Sequence, residues 1–125
     1  MLTIIGSVIA ALIAVGIIVL GTGYVWRPQG AVAFGIPRAP ATDPAFRSWV
    51  KVKGVRDIGC GVFAAILLAN GQAHLLGWFM LAAAFIPAGD ATIVLRSGGP
   101  KSAGYGVHGA TAAIMLVGAI LLLFG

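Results

Sequence analysis

Charge is what this sequence has least of. Only 9% of its 125 residues are charged, and acid is nearly absent, with three aspartates and no glutamate. A soluble domain this small needs far more charge to keep its surface wet. The single cysteine, Cys60, excludes an internal disulfide. No Cys/His set has metal-ligand spacing, no glycine-rich phosphate loop follows a strand, and no Ser/His/Asp set stands out. Nothing in the chain therefore calls for a cofactor or a metal.

What is present is hydrophobic. Apolar residues make up 60% of the chain and the mean hydropathy is +1.06. These values describe an all-α integral membrane protein, with one domain over residues 1–125. The pI near 10.2 does not point to nucleic acid, because the cations do not lie on a soluble face. In a membrane protein they report topology and contact with anionic lipid.

Crossing the hydrocarbon core takes about 20 apolar residues. Four segments come close, giving helices at about 2–24, 44–70, 75–96 and 105–124, a four-helix bundle with a long loop at 25–43. The second is the weakest by hydropathy. It has a clear start, with Thr42 or Asp43 as N-cap and Pro44 at the first helical position. Ala31-Val32-Ala33 has the form of a signal cleavage site. The apolar run before it lacks a charged start and is too long for a signal core, so it reads as a retained span. Trp26, Trp49 and Trp78 suit interfacial anchor positions. Gly6, Ala10 and Ala14 in the first span, and Gly109 and Ala113 in the fourth, lie four apart, a spacing that favours close helix contact.

Four spans put the 25–53 loop and the 97–104 turn on one side of the membrane. Every Lys and Arg falls there: Arg27, Arg38, Arg47, Lys51, Lys53, Arg56, Arg96 and Lys101. The excess of cations on one side predicts a multi-pass protein of the cell membrane, with that side cytoplasmic and both termini outside.

Three embedded ionisable groups then reach a similar depth. Asp57 lies one turn past Lys53. Asp90 lies about 9 Å inside Arg96 at 1.5 Å rise per residue. His108 lies one turn inside Tyr105. An acid near the centre of a membrane helix costs roughly 3 kcal/mol, less toward the interface, so such groups face the bundle interior and pair. Arg56 is the expected counter-ion for Asp90 or Asp57. Lys53 and Asp57, at i and i+4, offer a local alternative. Tyr105, His108, Thr111 and Met115 form one stripe of the fourth helix, where Thr111 can also bond its own backbone. Pro87, one turn before Asp90, should loosen its helix. Cys60, near the same level, reads as a packing residue, and His74 as an interfacial loop residue.

A carboxylate and a histidine under an apolar roof make acid–base chemistry available. The expected site is a polar pocket that binds a lipophilic small molecule. Asp90, His108 and Asp57 are its candidate catalytic groups, and Arg56, Tyr105, Thr111 and Lys53 its ligand-binding groups. Catalysis there would be of the cofactor-independent isomerase or cyclase kind. The alternative is a non-catalytic accessory or transport subunit in which the same residues form a structural ion-pair network. Transport would call for a homo-oligomer, because the outer halves of the spans are almost wholly apolar. Membrane lipid is the other expected partner, and nucleic acid is not one.

The stretches "RSWVKVKGVRDIGCGV", "AAFIPAGDATIVLRSGG" and "AGYGVHGATAAIMLVGA" resemble the DUF4267 family of small membrane proteins, a family of unknown function. The resemblance spans nearly the whole chain. Its marks fall on Lys53, Gly54, Arg56, Asp57, Pro87, Asp90, Tyr105, His108 and Thr111. It implies a four-helix membrane domain, more loosely similar to DoxX-type proteins, and supplies no reaction.

Overall fold

The computed structural model describes residues 1–125 and is helical, without a strand. Five α-helices are present: α1 (Leu2–Trp26), α2 (Pro44–Ala69), α3 (Ala73–Ala83), α4 (Phe85–Arg96) and α5 (Ala110–Phe124). A 3-10 helix at Pro28–Phe34 lies inside the long loop, and a π-helical segment at Ser102–Gly109 leads into α5. Three stretches are long and apolar enough to cross a membrane: Leu2–Trp26, Ala73–Arg96 and Ser102–Phe124. The protein is a membrane-embedded, all-helical chain. α2 is not among those three, because its first half carries Arg47, Lys51, Lys53, Arg56 and Asp57.

The expected start of α2 is there. The Asp43 side chain accepts a hydrogen bond from the Phe46 backbone N–H at 2.7 Å, with Pro44 at the first helical position. The expected helix at 75–96 is instead α3 and α4, run together through a single turn residue, Ala84. Pro87 accounts for the interruption. It has no N–H to offer the Ala83 carbonyl, and its ring crowds that carbonyl.

α1 and α2 pack antiparallel at very close range. A Cβ on Gly54 would lie 2.5 Å from the Gly21 carbonyl oxygen, and one on Gly61 would lie 2.8 Å from the Ala14 carbonyl oxygen. Without a hydrophobic drive in lipid, close backbone approach of this kind supplies the packing attraction. Gly6, Ala10 and Ala14 are all buried, as their spacing predicts. The matching expectation for α5 fails. Ala113 is exposed, and the buried stripe of α5 runs through Ala112, Met115, Ala119 and Leu122.

α5 packs on α1 and α3, and α2 packs on α3. Past Ala84 the arrangement changes. α4 packs chiefly on the π-helical segment and has no substantial contact with α1 or α2. The chain thus forms a closed set of helices at one end and two separated pairs at the other. The 3-10 helix, which touches α1 and α2, lies at the separated end. Gly35, at φ +108°, closes that helix where a Cβ would press on Ala103 and Val94, and Gly99 sits directly against its carbonyl. The two cation-bearing connections therefore lie at one end of the molecule. At the other end Gly125 lies beside Leu2 and Thr3.

Candidate functional site

Where α1/α2 and α4/π-segment part, they enclose a cavity of about 430 Å³. This is within the range of small-molecule sites. Hydrophobic residues make up 17 of its 25 lining residues, so most of its length can receive only an apolar group. The ionisable groups on its wall are Tyr24, Lys53, Asp57, Cys60, Asp90 and His108, and Thr111 adds a hydroxyl. The deep part is lined by residues such as Ile13, Ala64, Met80 and Met115. A shallower depression of about 320 Å³ on the outer face of α4, at Phe85 and Thr92, holds no ionisable group.

Asp57 is the one charged residue that is buried, at 9% exposure. Its Oδ2 accepts a hydrogen bond from Lys53 Nζ at 2.7 Å. The ammonium also lies 5.2 Å from the Tyr24 ring centroid and 5.3 Å from that of Phe34. One turn of α2 thus supplies both charges, and α1 and the 3-10 helix supply two aromatic faces that favour the cation. The expected counter-ion was Arg56. It is exposed and does not line the cavity, because the residue next to Asp57 points about 100° away from it on the helix.

Asp90, on α4, lines the cavity across from this pair and lies within electrostatic reach of Lys53, His108 and Asp57. It makes no hydrogen bond or ion pair within the chain, where the one ion pair is Lys53 with Asp57. His108 is differently placed. Its Nε2 is 2.9 Å from the Phe34 carbonyl oxygen, and its ring lies 4.3 Å from the Phe34 ring, centroid to centroid. A carbonyl can only accept, so Nε2 carries the hydrogen, and whenever the ring is neutral its lone pair lies on Nδ1. His108 thereby latches the 3-10 helix over the mouth of the cavity.

The remaining expected residues divide. Thr111 lines the cavity, but its hydroxyl donates to the Val107 carbonyl at 2.7 Å. Tyr105 is 65% exposed and off the cavity. The π-helical segment holds more residues per turn than an α-helix, so a stripe counted in α-helical steps slides off the face before it reaches Tyr105. His74 is not in a loop. It opens α3 and accepts a hydrogen bond from Trp78 Nε1 at 3.1 Å. The three tryptophans are exposed, in keeping with anchors. Two site residues were missed from the sequence, Tyr24 and Phe34. The first looks like the plain end of a span. The second sits in a loop where no periodicity marks it.

A family model described as a domain of unknown function, DUF4267, matches residues 14–122. The chain belongs to the DUF4267 family. That match covers every wall residue with chemistry in this DUF4267 cavity, from Tyr24 to Thr111. No curated protein and no solved structure matches the DUF4267 chain significantly.

Proposed function

We propose that this protein is a four-span membrane bundle whose cavity binds a lipophilic small molecule, polar end toward Asp90 and His108 and apolar end toward Met80. The supporting observation is the division of a single cavity into a polar mouth and an apolar floor, on a protein that lies in lipid. Cavity-lining Leu12, Gly16 and Leu20 on α1 and Val107 on the π-helical segment are also exposed on the outer surface. α1 has no substantial contact with the π-helical segment. A ligand can therefore reach the cavity sideways from the bilayer.

α2 serves as the fourth span in this reading, with its charged first half in the interface and its cations among those at the loop end. Both cation-bearing connections then face the cytoplasm and both termini face outward. Cysteine substituted for Ser102 should stay unlabelled by an impermeant reagent in intact cells. Labelling from outside would reverse the orientation.

A second reading adds acid–base chemistry. It is favoured by Asp90 and His108 lining the same cavity, one a carboxylate without a partner and the other an imidazole with Nδ1 uncommitted. Such a pair suits proton removal and return on a lipophilic substrate, an isomerase or cyclase type of reaction. Binding is tested first. Protein purified in mild detergent should release a small lipophilic compound on denaturation, and the variant Gly16→Phe should release far less. Equal release from both would remove the binding reading.

A further inference from the structure

The wall chemistry of the cavity is lopsided. Its one cation, Lys53, is already taken by Asp57 at 2.7 Å. What remains uncommitted chiefly accepts hydrogen bonds: the Asp90 carboxylate and, when the His108 ring is neutral with Nε2 bound to Phe34, its Nδ1. The Thr111 hydroxyl has given its hydrogen to Val107 and can only accept. Two aromatic rings, Tyr24 and Phe34, line the same mouth, and the Lys53 ammonium already lies over both. The remaining donors are the Tyr24 hydroxyl, the weak Cys60 thiol and the Lys53 N–H groups that Asp57 does not take.

We infer that the cavity selects a single-chain amphiphile whose head group donates hydrogen bonds, an amine or an alcohol, and that Asp90 is the selecting residue. This rests on the lipophilic-ligand reading above and names the head group it requires. An anionic head, such as a fatty carboxylate, would meet Asp90 at short range in a weakly screened site. It would also have to share Lys53 with Asp57, weakening the pairing of that buried acid. A cationic or hydroxyl head does neither, and an ammonium gains a charge-assisted hydrogen bond. The floor suits one alkyl chain. The whole cavity, mouth included, extends along α2 from Lys53 to Ala64, about 16 Å at 1.5 Å per residue. At about 430 Å³ the cavity stands near the lower end of ligand sites, which disfavours a two-chain lipid.

The test is equilibrium binding of radiolabelled dodecylamine, dodecanol and dodecanoate to the full chain in nanodiscs of zwitterionic lipid, with empty discs subtracted. The wild type should bind dodecylamine at least about tenfold more tightly than dodecanoate. Asp90→Asn should erase that preference, weakening dodecylamine and relieving the repulsion of dodecanoate. Gly16→Phe, at a position whose Cβ would meet nothing within 4 Å, should fold normally and lose all three ligands. If dodecanoate binds as tightly as dodecylamine, or if Asp90→Asn keeps the preference, the selection is wrong while the lipophilic cavity stands. If no probe exceeds empty discs, the cavity reading falls as well. Asp90→Ser serves should the Asn variant be unstable. If neither variant folds, Asp90 is a structural group and the inference is overturned.

Discussion

Between the chain termini and Met80 the helices close on one another, whereas between Ala84 and the 3-10 helix they stand apart. At the closed end Leu76, Met80 and Ala119 are at most 1% exposed, and the contacts are wholly apolar. At the open end the walls carry Lys53, Asp57, Asp90 and His108 around unfilled volume. The difference starts from one residue. Pro87 interrupts the helical hydrogen bonding at Ala84, and the helix beyond it packs on the π-helical segment rather than on α2. Polar side chains can then be held inside a lipid-embedded chain without being squeezed between helices. Below them the packing is an apolar plug built from residues such as Leu76, Met80 and Ala119.

Substitutions at the two ends should therefore behave oppositely. Met80→Ala removes a side chain that is 1% exposed and should cost about 2–5 kcal/mol, seen as a large fall in melting temperature in detergent. Gly54→Ala forces a Cβ against the Gly21 carbonyl oxygen at 2.5 Å and should cost about 1–3 kcal/mol or more. Lys53→Met leaves Asp57 in its buried position without a partner. It should cost more than Asp57→Asn, by about 1–2 kcal/mol, since an unpaired buried charge is worse than a neutral amide. A smaller loss from Lys53→Met would mean that the pair is held by water and not by the fold. Asp90→Asn should change stability by no more than about 0.5 kcal/mol while changing ligand preference. If it destabilises as strongly as Met80→Ala, the open end is structural after all, and the contrast between the ends disappears.

Much of this was readable before any coordinates. The convergence of Asp57, Asp90 and His108 follows from counting rise per residue inward from the charged helix ends. The cap at Asp43 and the weak point at Pro87 follow from residue chemistry. What the counting could not give was direction around the axis. Arg56 is at the right depth and faces outward, and Lys53, one turn earlier, has the geometry that pairs with Asp57. Tyr105 fell off the face because a π-helical segment breaks the period used to place it. Phe34 was invisible because a loop has no period, yet its carbonyl and ring both meet His108. Tyr24 enters the site through the α1–α2 contact. Depth is written in one dimension, but orientation depends on neighbours that only the folded chain supplies.

The glycine seam between α1 and α2 has one more effect. Ala14 and Gly21 on one helix are seven residues apart, as are Gly54 and Gly61 on the other, and they meet in crossed order, Gly21 with Gly54 and Ala14 with Gly61. Each pair works as a detent, and the two together admit a single setting. Sliding α2 by one turn, 5.4 Å, would bring bulkier side chains into notches cut for hydrogen. Lys53 and Asp57 ride on that helix. Residues with no polar atoms in their side chains thus act as the gauge that fixes the height of both charges against Asp90 and His108. A methyl group added at Gly61 would misalign the site from a position that bears no charge at all.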